Sequence, residues 1–248
     1  MSPAFAWRFA AVLAAILITS VAFAPATWLG DLLQAHGPFR LVRADGTVWR
    51  GSGLMAVSDG RQARLLPGRV AWQVEWSALL SGRLVLLVKH EAADRTVRVR
   101  LDGSTVVVEA GELRVPAALL AAAGAPFNTL KPGGTLHLQW DTVRVRGDGF
   151  EGKMQLDWKD AQSALSAVAP LGTYRLTVSG TGTRGEATLA TLSGPLRIEG
   201  KGSMDHEGIR FNGLAEAQPE MRASLDGLIG LMGRRTRDQV LLNWEIRR

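Results

Sequence analysis

No cysteine occurs in the 248 residues, which excludes disulfides, thiolate zinc sites and cysteine nucleophiles. It leaves the compartment open, because periplasmic domains can also lack cysteine. The four histidines, His36, His90, His137 and His206, lie far apart in the chain, and none has a second ligand at metal spacing. His137 alternates with Leu136 and Leu138 and reads as a solvated residue on the polar face of a strand. His206 and Glu207 read as part of a turn. No G-x-S-x-G occurs. Gly180-Thr181-Gly182 has strand-like flanks on both sides, whereas a phosphate cradle needs a strand before it and a helix after. Asp141 and Asp157 each adjoin a strand tryptophan and read as outward residues, and a glycosidase would need two carboxylates held across a cleft. No cofactor, metal or catalytic residue is assigned, and the chain reads as no enzyme.

Lysine is also scarce. The formal charge of +6 rests on arginine, with 24 Arg and five Lys among the 29 basic residues. Arg98, Arg100, Arg144 and Arg146 alternate with valines as the wet faces of strands. A nucleic-acid binder gathers its basic residues into a stripe with interleaved aromatics, so nucleic acid is not an expected partner. An anionic membrane surface suits scattered arginines better. Hydrophobic residues at 46% and charged residues at 21% describe a folded chain.

Long apolar runs are missing after residue 24, and one stands before it. Residues 9–24, FAAVLAAILITSVAFA, carry no charge and follow Arg8. At ~1.5 Å per residue the run covers about 24 Å as a helix, and Trp7 and Trp28 extend it toward the ~30 Å of a bilayer core. Phe9, Leu13, Ile16, Leu17, Val21 and Phe23 would face lipid, with the two tryptophans at the interfaces. Ala22-Phe23-Ala24 also fits a signal-peptidase site, but Pro25 directly after the cut disfavours cleavage. The expected division is a cytoplasmic N-terminus over 1–8, a transmembrane anchor over 9–28 and a membrane-proximal segment over 29–45. That segment begins with a short helix in TWLGDLLQAHG.

Beyond it, period-two alternation dominates, as expected of antiparallel strands with one buried and one wet face. Val70, Trp72, Val74 and Trp76 share one side. So do Phe150, Met154, Leu156 and Trp158, and later Val240, Leu242, Trp244 and Ile246. Asp102-Gly103 and Gly147-Asp148-Gly149 predict hairpins. Short helices are expected over 116–124, 160–172 and 221–233. The order strand, tryptophan, Leu/Ala segment, glycine, strand in PGRVAWQVEWSALLSGRLVLLV returns in EGKMQLDWKDAQSALSAVAPLGTYRLTV. Two similar β units, 46–130 and 131–248, are therefore expected. The fold class is all-β, mainly antiparallel, with few short helices after one N-terminal transmembrane helix. The sheet could be curved, a sandwich or a partial barrel.

One set of elements carries a resemblance. It comprises Gly46, Thr47, Trp49 and Gly51; Trp72 and Trp76; Pro170, Leu171, Gly172 and Tyr174; and Leu225, Leu228, Gly230, Leu231 and Gly233 before Trp244. In this order and spacing, behind a single anchor, the chain resembles the protein N family of the type II (general) secretion system. The resemblance implies a non-catalytic inner-membrane accessory component, single-pass, with a periplasmic β domain. Its partners would be other secretion components, either the inner-membrane platform or the outer-membrane secretin, together with inner-membrane lipid. A second expectation, from a different class, is a membrane-anchored envelope protein whose apolar strand faces form a lipid-binding groove. GTVWRG itself, at 46–51, reads as the first strand, with Thr47 and Trp49 on one face and Trp49 buried as a structural anchor.

Overall fold

The computed structural model describes residues 19–36, 39–58, 63–123, 127–147, 149–231, 233–236 and 239–247. Contacts divide the chain into two compact units, Met1–Val74 and Glu75–Arg248. Residues 131–134, the expected boundary between two β units, lie inside the second.

The first unit has a helix, α1 (Thr27–His36), and three strands, β1 (Phe39–Gly46), β2 (Arg50–Ser58) and β3 (Ala63–Val74). The strands pair antiparallel in chain order. GTVWRG is not the first strand: it is the turn from β1 to β2. Gly46 has φ +94°, a region that L side chains avoid. The Thr47 hydroxyl oxygen then accepts the backbone N–H groups of Trp49 and Arg50 at 3.3 and 3.2 Å, a side-chain-closed turn. Trp72 on β3 stands opposite Gly51 on β2. A Cβ on Gly51 would fall 2.5 Å from Trp72 Cζ2, so the indole lies where a side chain would be.

The second unit opens with α2 (Trp76–Leu80). Trp76 therefore starts a helix and does not continue the β3 face, and its ring is exposed. There follow β4 (Leu84–His90), β5 (Val97–Asp102), β6 (Thr105–Val108), β7 (Gly111–Pro116), a 3-10 segment (Ala117–Ala123) and α3 (Phe127–Leu130). Next come β8 (Pro132–Trp140), β9 (Val143–Arg146), β10 (Gly149–Ser163), β11 (Gly172–Gly182), β12 (Arg184–Ser193), β13 (Leu196–Asp205) and β14 (Gly208–Ala217). A 3-10 turn (Pro219–Met221) leads to α4 (Arg222–Gly230), β15 (Arg234–Thr236) and β16 (Gln239–Arg247). All pairings are antiparallel. The sheet is open, in the order β4-β5-β6-β9-β10-β11-β12-β13-β14-β16-β15, with β8 on β10 and β7 on β8.

The two expected hairpins form: Asp102 pairs with Thr105, and Arg146 with Gly149. Of the short helices expected, the one over 160–172 does not form. The segment over 116–124 is helical as the 3-10 segment Ala117–Ala123, whereas 160–172 hold the end of β10 followed by a loop. There Ala161 pairs with Gly172, and Ser163 with Pro132. The Ser163 hydroxyl donates to the Leu130 carbonyl at 2.7 Å. Sheet pairing thus outweighs the local helical pattern.

The registers place whole rungs of side chains on one face. Trp140, Met154, Val178, Ala187, Gly202, Phe211 and Trp244 are directly opposite one another in succession. The adjacent rung is Leu138, Leu156, Leu176, Leu189, Gly200, Gly213 and Leu242. At one end α4 closes over this apolar face, and its Leu225, Leu228 and Ile229 form a core with Leu171, Leu196, Ala215, Ala217, Val240 and Leu242. Leu225→Ala should therefore cost ~2–5 kcal/mol, whereas Leu231→Ala, exposed just after α4, should change stability by less than ~0.5 kcal/mol. Urea unfolding of the two variants beside the wild type measures both.

Candidate functional site

Three arrangements carry the residues singled out above. The first lies at the β1–β2 turn. Residues 19–22 are helical, and the chain leaves them past Phe23 into a stitched segment. Pro25 forms an antiparallel bridge with Thr47. Val48 N–H donates to the Ala24 carbonyl at 2.9 Å, and Ala26 N–H to the Gly46 carbonyl at 3.1 Å. The Trp49 indole N–H donates to the Val21 carbonyl at 2.8 Å, an acceptor in the last helical turn that also takes the Ala24 N–H at 3.2 Å. The Thr47 carbonyl takes the Trp72 indole N–H at 3.2 Å, and the Trp49 carbonyl takes Val74 N–H at 2.7 Å. Gly46, Thr47, Trp49, Gly51 and Trp72 are thus brought together around one corner. Trp49 is half-buried there, and its indole reaches the chain before α1 as well as its own hairpin. Trp7, Phe9, Leu13, Ile16 and Leu17 lie outside the described residues. Among those described, no helix is long and apolar enough to cross a membrane.

The second arrangement joins Leu171, Gly172 and Tyr174. The buried Tyr174 hydroxyl donates to the Leu196 carbonyl at 2.9 Å, with the Leu171 carbonyl 3.2 Å away sharing the proton. Leu196 N–H in turn donates to the Leu171 carbonyl at 3.0 Å. Burial pushes the Tyr174 hydroxyl's pKa up, so it stays a neutral donor. This corner ties the start of β11 to the start of β13 and feeds Leu171 into the α4 core. Trp244 lies on β16 opposite Phe211.

The third arrangement is on the opposite, polar face, and it corrects the reading of two residues as outward and solvated. His137 and Asp157 are both buried. They face each other in register on β8 and β10, with Arg114 of β7 beyond His137 and Arg175 of β11 beyond Asp157. Arg175 grips Asp157 bidentately, Nε to Oδ1 at 2.7 Å and a terminal nitrogen to Oδ2 at 2.8 Å. His137 Nε2 lies 3.2 Å from Glu112 Oε2, and Arg95 pairs with Glu112 Oε1 at 3.0 Å. Arg175's hydrogen bonds hold the Asp157 carboxyl below its usual range, and the bond to His137, then the charge of Arg95, does the same for Glu112. A carboxylate saturated by arginine is a poor general base, and the row ties four strands together. Asp141 sits by Lys153, four residues along β10 from Asp157, or about 13 Å away, beyond the spacing of a glycosidase pair.

A fourth feature lies on the apolar strand face that carries Phe150, Met154 and Leu156. Toward the end of the apolar face away from α4, a hollow of about 170 Å³ is lined by Phe150, Val178, Ala187, Met204, Ile209 and Phe211 among others. Its exposed lining is apolar, and Met154, Leu156, Leu176 and Leu189 beside it are only half-buried. No group of residues suited to a metal ion occurs among the described residues.

A family model for the type II secretion system (T2SS), protein N, matches residues 38–241. The chain belongs to the type II secretion system protein N family. No curated protein and no solved structure matches it. Membership makes it a participant in type II secretion and implies interaction with other components of that system. The matched span starts just before β1 and ends within β16, so it takes in the β1–β2 turn, the tyrosine tie and all of the α4 core but Leu242. The stitching partners Val21, Ala24 and Ala26 lie before it.

Two substitutions test these contacts. Trp49→Phe keeps a ring but removes the indole N–H, and should cost ~0.5–1.5 kcal/mol. Trp49→Ala should cost about 2–3 kcal/mol, less than for a fully buried tryptophan. In both, hydrogen exchange of the Val48 and Ala26 amides should accelerate. Asp157→Asn keeps the shape and removes the charge. Because the folded pKa of Asp157 is depressed, its contribution is complete above the unfolded pKa of ~3.9 and is lost as pH falls through the lower folded value. The variant should be roughly 1–2 kcal/mol less stable than wild type at pH 7. The two should converge near pH 2, as read by urea unfolding across pH.

Proposed function

We propose that this protein is a non-catalytic accessory component of the type II secretion machine, held in the inner membrane by its N-terminal apolar segment with its β-rich body in the periplasm. The family match over 38–241 carries this reading. The expected anchor over 9–28 is cut back to end near Phe23, because Ala24 and Ala26 are buried against the β1–β2 turn and α1 starts at Thr27. The corner at the β1–β2 turn supports a retained anchor over a cleaved leader. A cut after Ala24 would remove the Val21 and Ala24 carbonyls that accept from the Trp49 indole and from Val48, and with them two of the bonds that tie this segment to the turn. Partners would be the inner-membrane platform or the outer-membrane secretin. Deleting the gene in a host without redundant copies should trap exported proteins in the periplasm, and the full-length chain should co-purify with secretion components. Unchanged export in that strain sinks the reading.

The apolar hollow supports a second reading, in which the open end of the sheet face takes a lipid acyl chain. A lipid co-purifying with the body at close to one per chain, together with unimpaired export on deletion, would favour it. A body that purifies free of lipid would exclude it.

A further inference from the structure

Between the last helical turn and α1, the chain sorts its side chains by size in the sense opposite to a water-facing surface. Ala24 and Ala26 are 3% and 2% exposed, while Val21, Phe23 and Trp28 are 52%, 74% and 56% exposed. Exposed polar residues and buried large apolar ones are the ordinary arrangement. Here the small residues face inward, and the corner needs them there. Pro25 bridges to Thr47, Ala26 N–H meets the Gly46 carbonyl, and Val48 N–H meets the Ala24 carbonyl. Backbones this close leave room for little more than a methyl group. The large side chains are then held outward by the same bonds, because each neighbouring backbone group is pinned to the β1–β2 turn.

We infer that Val21, Phe23 and Trp28 form a bilayer-docking surface, seated at the headgroup boundary and held in a fixed orientation by the Trp49 corner. The occupant is identified by what precedes the surface. Residues 9–18 are uncharged and apolar, and they run directly into residues 19–22, whose helical turn ends at Phe23. An apolar segment arriving from a bilayer delivers residues 21–28 to the interface, where aromatic rings with one wet edge are favoured. The corner gives this contact a second consequence. Thr47, Val48 and Trp49 are bonded both to the segment and, through Trp72 and Val74, to β3. The attitude of the first unit relative to the membrane is therefore set by the corner instead of by a flexible linker.

This inference rests on the retained anchor of the proposed function, and the test separates the two. The chain has no cysteine, so single substitutions can each carry one nitroxide. The full-length protein is reconstituted in vesicles of phosphatidylethanolamine and phosphatidylglycerol as the variants Ile16→Cys, Phe23→Cys, Trp28→Cys and Lys201→Cys. Lys201, exposed on the polar face of β13, serves as the aqueous reference. The ratio of oxygen to nickel-chelate accessibility is read by electron paramagnetic resonance. Positions 23 and 28 should show ratios several-fold above that at 201 and below that at 16. Ratios at 23 and 28 equal to that at 201, with a high ratio at 16, overturn the docking surface and leave the anchor standing. A ratio at 16 equal to that at 201 overturns the anchor, and the docking surface with it. Adding Trp49→Ala should mobilise the labels at 23 and 28 and narrow their spectra, and Trp49→Phe should do so less. Spectra that neither substitution changes overturn the corner's role in fixing the orientation.

Discussion

β10 is the strand on which the second unit depends. Its 15 residues pair with β8 and β9 along one edge and with β11 along the other. The alternation of Met154, Leu156 and Trp158 with Gln155, Asp157 and Lys159 is thereby imposed on its neighbours. A one-residue slip would put Asp157 on the apolar face and Leu156 in water, so burial fixes the register strongly. From β8 to β16 each rung inherits that choice. The α4 helix completes the arrangement by covering the Leu196, Ala215, Val240 and Leu242 end, and it leaves the end around Phe150 and Met204 less covered. A single sheet with one covered end combines a stable core with apolar surface that can be offered elsewhere.

Period two was readable because it is local. Asp102-Gly103 and Gly147-Asp148 announce their hairpins in two residues, and the alternation around them names the faces. The region of α4 was also readable, since SLDGLIG has apolar residues at helical spacing. What failed needed partners far along the chain. In 160–172, Leu165 and Val168 suggest a helix, but Ala161 and Ser163 are claimed by strand pairing with Gly172 and Pro132. Alternation assigned His137 and Asp157 to the polar face correctly and could not reveal that Arg175 and Glu112 would meet them there and close over them.

GTVWRG failed in the same way and more instructively. Thr47 and Trp49 are two apart, which mimics a strand face. The positive φ of Gly46 and the turn closed by the Thr47 hydroxyl make the stretch a corner instead. The residues that give Trp49 its role are Val21 and Ala24, which the sequence presents as part of an apolar run with a different purpose. One local signal was available: Ala24 and Ala26 alternate with Phe23, Pro25 and Thr27, an unusual sorting of small and large for the end of an apolar run.

Several aromatic residues in this chain do one job, and it explains why they sit beside glycine and at corners. Trp49 donates to the Val21 carbonyl, Trp72 to Thr47, Trp140 to Glu109, Trp158 to Gly133, and Tyr174 to Leu196. Each acceptor is a carbonyl at or near the end of a helix or strand or in a turn, where the regular ladder of backbone bonds runs out. An aliphatic residue could fill the same volume but could not supply the proton. Trp72 over Gly51 and Trp140 over Gly111 repeat one geometry, with the ring lying across the glycine directly opposite. A Cβ at Gly111 would fall 2.8 Å from Trp140 Cζ2. Glycine supplies the bare backbone, and the indole supplies both the cover and the donor, so the two residue types depend on each other. Where α4 does not reach the apolar face, such pairs seal corners with side chains of the sheet itself.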